Sequence, residues 1–261
     1  MLAVGSAPRA RVQNRAMELA RAIASRLVEV ERRIHAAVSS AGRSPDDVRL
    51  VAVSKTFGLD HVNAAIDAGL GDLGENKVQE ALTKSAATAG RPVAWHFIGH
   101  LQSNKARKAA GAFDWIHSVD SLALLERLDR AAGDAGRRPR VLVQVDLAGE
   151  VTKHGAPEEA APVIVAAAER CEHLELRGLM TMPPWSSDPE AARPYFNRLA
   201  TMRRELLPTL RAPERFDQLS MGMSHDLEVA IDEGATMVRV GTALFGKRRP
   251  ALQNRSVPAE K

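Results

Sequence analysis

Leu50-Val51-Ala52-Val53-Ser54-Lys55-Thr56 decides how the rest of the chain is read. Its apolar and β-branched run suits a strand buried on both faces, the habit of parallel sheets. A lysine closes the run, just before turn-prone residues. An ammonium is strongly hydrated and is rarely buried without a partner. Two readings follow. Either the strand end reaches solvent and the lysine snorkels outward, or Lys55 is held partly uncharged, ready to attack a carbonyl and form a Schiff base.

Working outward, strand patterns alternate with helical ones. Ahead of the lysine strand, Leu19, Ile23, Leu27, Val30, Ile34 and Val38 recur at steps of three and four, which predicts a helix over 16–41. After it, strands are predicted at 71–76, 93–99, 114–119, 140–146, 176–181, 218–221 and 237–240. Helical patterns separate them at 59–69, 77–87, from 103, from 120, from 157, at 189–207 and at 225–233. Every strand but the last is thus followed by a helix. Such alternation implies right-handed βαβ units. Eight units in about 200 residues fit an α/β fold of the single (β/α)8 TIM-barrel kind better than a doubly wound sheet. The extra N-terminal helix is expected to take the place of the missing final one. One domain is expected over 16–249, with a disordered extension at 1–15 and a tail at 250–261.

Composition narrows the function classes. Net charge is +4, but the 36 basic and 32 acidic residues are interspersed, which is a weak case for a nucleic-acid partner. Lys247-Arg248-Arg249 reads as a solvated tail. No apolar run reaches the roughly 18 residues of a membrane span, and the basic N-terminus lacks a signal peptide's apolar segment. One cysteine, Cys171, excludes an internal disulfide and a cysteine-rich metal site. It is expected as a small buried residue in a helix, and a cytoplasmic location fits.

In a barrel, the C-terminal ends of the strands meet around one mouth. Lys55 would sit there, with Asn76 after the second strand, His96 and Gly99 around the third, and Met180-Thr181-Met182 after the sixth. The last two strands run into Gly222-Met223-Ser224 and Gly241-Thr242, where this fold commonly holds phosphate. Taken singly, the glycines are turn residues and Ser224 caps a helix. A phosphate cradle facing a strand-end lysine implies a ligand with a phosphate at one end and a carbonyl at the other. Pyridoxal 5′-phosphate (PLP) and a phosphorylated sugar in a Schiff-base aldolase both satisfy that.

The motifs AVSKT, GENKVQE, WHFIGHLQSNK, FDWIHSVDS, GLMTM and SMGMSHDLEVAIDEGATMVRVGTALFG occur in this order. Together they resemble the YggS/PROSC family of pyridoxal phosphate homeostasis proteins, over residues 45–247. The resemblance implies a barrel of the alanine-racemase N-terminal type with PLP on Lys55. It implies Asn76 beside the ring's phenolic oxygen, and Ser224, Gly241, Thr242 and the backbone of Met223 around the phosphate. It also implies Arg239 against the pyridine nitrogen. His96 matches a family position near the mouth, without a role. His100, where proline is commoner, and the loop VDLAGEVTKHG depart from the family pattern and are expected to affect only the rim.

Arginine does not give up its proton, so Arg239 would donate to an unprotonated ring nitrogen and make the ring a poorer electron sink. Related racemases share that arrangement but need a second acid/base, usually a tyrosine from another domain. The one tyrosine here, Tyr195, falls in a predicted outer helix, and no residues remain for a second domain. The expectation is a cytoplasmic monomer that buffers PLP and delivers it, with apo PLP-dependent enzymes as transient clients and neither metal, membrane nor nucleic acid as partner. The alternatives are a racemase or lyase using Lys55 as its single base, a protein that PLP merely stabilises, and an aldolase.

Overall fold

The structure, a computed structural model, describes residues 7–149 and 154–247. Eight parallel strands close into a barrel: β1 Arg49–Val53, β2 Asp72–Glu75, β3 Ala94–Phe97, β4 Trp115–Val119, β5 Arg140–Asp146, β6 Glu175–Met180, β7 Gln218–Met223 and β8 Met237–Val240. The order around the ring is β4-β3-β2-β1-β8-β7-β6-β5, and β4 pairs with β5 to close it. A two-residue strand, Ala156–Pro157, adds to the end of β5. The lysine strand behaves as its sequence predicts: Val51, Ala52 and Val53 are all buried.

The helices form the outer layer: α1 Ala7–Ser40, α2 Leu59–Asp67, α3 Val78–Ala87, α4 Ala106–Ala112, α5 Leu122–Asp134, α6 Ala161–Ala168, α7 Arg193–Leu206, α8 Leu227–Asp232 and α9 Thr242–Phe245. Ile23, Leu27, Val30, Ile34 and Val38 of α1 are buried in one stripe, and the helix packs against α2 and α8. It therefore fills the ring position between the last strand and the first, as expected.

Four differences from the sequence reading have plain causes. First, α1 begins at Ala7 rather than at 16, so residues 7–15, read as a disordered extension, continue the helix. Pro8 in the first helical turn suits that start, because its missing N–H is one that a helix leaves unpaired there. Second, β8 does have a helix after it, the single turn α9. Third, α6 stops at Ala168, so Cys171 lies in the following turn, half-buried, with burial pushing its thiol up to about 11. Fourth, His96 is not at the mouth: it points into the barrel and is wholly buried. Residues 1–6, the centre of the loop at 150–153, and residues 248–261, which include Arg248-Arg249 and the tail, lie outside the described residues.

The main apolar core lies between barrel and helices. A smaller cluster of Trp115, Leu142, Met180 and Met237 forms apart from it. His96, His117, Ser220 and Arg239, from four barrel strands, are linked by hydrogen bonds and are almost wholly buried. Among the described residues no helix is long and apolar enough to cross a membrane, and no cluster of His, Cys, Asp or Glu suits a metal ion.

Candidate cofactor-binding site

Strand order brings the predicted residues together. β1 lies beside β8, and β8 beside β7. Lys55 leaves the end of β1, Gly241 and Thr242 leave β8, and Met223 and Ser224 end β7. Asn76 follows β2, on the other side of β1. Lys55, Asn76, Ser224 and Gly241 are half-buried and Thr242 is exposed, as befits groups at a mouth, whereas Arg239 is buried.

The lysine is set by its neighbours. Ser54 and Glu75, the residues preceding Lys55 and Asn76, are both buried. The Ser54 hydroxyl donates to Glu75 Oε1 at 2.7 Å. Lys84 Nζ of α3 donates to the same oxygen at 2.5 Å and to the Ser54 carbonyl at 3.0 Å. Thr56, directly after Lys55, sits at φ 71°, the one positive φ at a non-glycine among the described residues. For a β-branched residue this is a strained backbone, costing about 1–3 kcal/mol, and such strain concentrates at functional sites. Thr56→Gly is expected to relieve it and raise the stability of the ligand-free protein by about 1 kcal/mol in thermal unfolding.

Asn76 carries the sign of a missing partner. Its Oδ1 is buried and bonds to nothing among the described residues, a costly arrangement unless a ligand completes it. Gly99 makes room for it: a Cβ there would overlap the Asn76 carbonyl oxygen. A cavity of about 310 Å³ opens beside Asn76, with Lys77, His100, Lys105 and Lys108 in its wall, a lining suited to an anionic ligand. At the rim, His100 stacks on His154 at 3.7 Å and lies 3.5 Å from Asp120.

The two turns across the mouth are tied to each other and to α1. Ser224 Oγ accepts the Ala243 N–H at 3.3 Å, joining the β7 and β8 turns. Arg33 of α1 holds the Ser224 carbonyl at 3.1 Å and grips Glu228 through two bonds of 2.6 and 2.8 Å. Thr242 opens α9, and the first N–H groups of a helix have no partner within it. Two expectations change. The Met223 N–H donates to Asp226 Oδ1 at 2.6 Å, so that amide is committed inside its own turn and is not free for a phosphate. Gly222, at φ 87°, is required by packing: a Cβ there would press on Ala230 of α8 at 2.5 Å.

Arg239 lies deeper. Val51, four residues before Lys55, is its register partner on β1. One guanidinium nitrogen donates to Ser220 Oγ at 2.6 Å and the other to the Thr181 carbonyl at 3.0 Å. Burial pushes its pKa down to about 10. Its hydrogen-bond partners are neutral, and the Asp226 carboxylate acts against the lowering from a distance. Sequence reasoning missed Ser220 and His117. The available signal was a polar residue inside an otherwise apolar strand, in Gln218-Leu219-Ser220-Met221 and in Trp115-Ile116-His117.

The family model described as alanine racemase, N-terminal domain, matches residues 19–249. A pyridoxal phosphate homeostasis protein of Pseudomonas aeruginosa is 48% identical over 227 residues, covering 87% of this chain and 96% of that one. The chain belongs to the family of pyridoxal phosphate homeostasis proteins. Another member, from Aquifex aeolicus, is 40% identical over 224 residues, covering 86% of this chain and 97% of the relative. PipY of Synechococcus elongatus, solved with PLP bound, superposes with a TM-score of 0.76 at 40% identity, covering 86% of this chain and all of that one. An alanine racemase of Clostridium difficile shares the barrel at a TM-score of 0.63 and 15% identity, a likeness of fold alone, and this chain covers 57% of it.

Proposed function

We propose that this chain binds PLP as a Schiff base on Lys55, and that it buffers and delivers the cofactor rather than turning over a substrate. The observation that carries the reading is the convergence on adjacent strands of an amine on β1, a guanidinium on β8 and two linked turns after β7 and β8. The partnerless Asn76 Oδ1 beside them fits a ligand with a polar ring substituent. The PLP-bound PipY and the names of the curated relatives agree with it.

Each residue has a role that follows from its chemistry. Ser224, Gly241 and Thr242 hold the phosphate, through the two hydroxyls and the N–H groups of Gly241 and Thr242, since the Ala243 N–H is already taken by Ser224. Asn76 orients the ring edge. Arg239 can only donate, so it favours an unprotonated ring nitrogen. When bound, the cofactor supplies an aldehyde carbon for amines and an electron sink that this arrangement weakens. Delivery would proceed by amine exchange, the lysine of a client enzyme forming the new C=N bond to the cofactor as the bond to Lys55 breaks and its amine is regenerated.

A racemase needs an acid/base on the face opposite the lysine. Tyr195, the single tyrosine, lies half-buried on α7 in the outer helical layer. Among the described residues the exposed large apolar side chains are divided among α1 (Met17, Val28), α5 (Leu122), α6 (Val163) and the segment after β6 (Met182, Trp185). That supports a working form that is monomeric; a cytoplasmic setting completes the proposal. The test mixes PLP-loaded protein with an apo PLP-dependent enzyme. Reactivation faster than free PLP release is expected. Reactivation no faster than release contradicts delivery, and α-hydrogen exchange of amino acids that Lys55→Ala abolishes makes the protein an enzyme.

A further inference from the structure

Six side chains form one continuous line of hydrogen bonds through the barrel. Arg239 donates to Ser220 Oγ at 2.6 Å. Ser220 Oγ meets His117 Nδ1 at 2.9 Å. His117 Nε2 meets His96 Nδ1 at 2.9 Å. His96 Nε2 meets Asp72 Oδ1 at 2.8 Å, and Arg49 donates to that same oxygen at 2.8 Å. The line passes from β8 to β7, then to β4, which is not a neighbour of β7 in the ring, and on to β3 and β2. Ser220, His96 and His117 are wholly buried, whereas the Asp72 side chain is 19% exposed at the start of β2, the end away from the mouth.

The two ends decide where every proton sits. A guanidinium can only donate and a carboxylate can only accept. Asp72 is held below the usual carboxylate range: burial raises its pKa, but the hydrogen bonds it accepts from His96 and Arg49 act the other way. His96 Nε2 must therefore carry a hydrogen for Asp72. A neutral His96 then has a bare Nδ1, which takes its hydrogen from His117 Nε2. The bare Nδ1 of His117 takes the Ser220 hydroxyl hydrogen, and Ser220 Oγ keeps its lone pairs for Arg239. A proton added to either ring puts two hydrogens in one contact or leaves the buried Ser220 hydroxyl without an acceptor, at about 1–3 kcal/mol. Burial, the leading cause, also lowers the pKa of His96 and puts that of His117 well below its usual range, so both rings stay neutral. Trp115 stacks on His96 at 5.6 Å and 7°, with the guanidinium groups of Arg49, Arg140 and Arg177 5.2–5.9 Å from the Trp115 ring.

We propose that Ser220, His117, His96 and Asp72 are positioning residues, a one-directional relay that holds Arg239 from the far end of the barrel and so aims it toward the ring nitrogen of the bound cofactor. Bonds aligned head to tail strengthen one another, so the carboxylate at the far end makes Ser220 a better acceptor and fixes the guanidinium plane. The proposal rests on the PLP reading of the site, and its test separates the two.

The first arm needs no cofactor. Nitrogen NMR of the histidine rings in the ligand-free protein at neutral pH is expected to show both His96 and His117 neutral with the hydrogen on Nε2. A hydrogen on Nδ1 of either ring, or a charged ring, overturns the relay. The second arm uses PLP-loaded Asp72→Asn and His117→Phe. Each is expected to shift the cofactor's absorption band and to weaken PLP binding about threefold to tenfold, the range set by one net hydrogen bond. Circular dichroism establishes that the variants are folded. Bands and affinities equal to wild type in either folded variant overturn the relay. A wild-type protein that takes up no PLP fails the cofactor reading instead, and leaves the NMR arm to judge the relay.

Discussion

Lys55→Ala is expected to abolish borohydride-stable attachment of PLP and to weaken binding on the order of a hundredfold, about 2.7 kcal/mol. The substitution removes the amine but leaves the linked turns at Ser224 and Ala243, the Arg33 anchor and the buried Arg239 in place. Residual binding should therefore persist through the phosphate, and adding a free primary amine should restore the Schiff-base absorption in solution without fixing it to the protein. Lys55 is half-buried at the strand end, so its truncation should not disturb the core. Equilibrium titration of the folded variant checks this. A variant that binds PLP as tightly as wild type contradicts the role given to the lysine.

The second large effect lies beneath the site. Lys84 and Glu75 form an ion pair whose side chains are 7% and 0% exposed, and the second Glu75 oxygen has no partner among the described residues. Removing one member of such a pair strands a buried charge, at about 3–5 kcal/mol. Lys84→Met should therefore lower the melting temperature on the order of 10 °C. Adding Glu75→Leu should recover most of the loss, because an apolar pair of similar volume replaces the stranded charge. Thermal unfolding of the single and double variants reads this directly. A single variant as stable as wild type would show that the pair does not hold the β1 and β2 ends. PLP binding should fall in the single variant too, since Ser54 and Glu75 adjoin Lys55 and Asn76.

Much of this architecture was legible in the chain because it is local. The run at Leu50–Val53, the α1 stripe and the repeated strand-helix alternation each depend on near neighbours, and each appears in the structure. The mouth residues were legible because parallel strands all end at one face. The interior was not. Both faces of a parallel strand are buried, so alternation does not tell which side chains point inward. His117 and Ser220 are 103 residues apart, and their bond exists only once the barrel closes. His96 was placed at the mouth for that reason, although its partner Asp72 starts β2. Gly222 misled in the opposite sense: it looks like part of an anion cradle, but the approach of Ala230 is what demands it. The Met223 N–H is taken up by Asp226, three residues later, a contact within one turn that the resemblance does not reveal.

Borohydride reduction of the PLP-incubated protein, followed by peptide mass mapping, tests the central claim most directly. A single pyridoxyl phosphate mass on the peptide containing Lys55, lost in Lys55→Ala, is the predicted result. Label on other lysines with Lys55 unmodified, or no label at all, contradicts it.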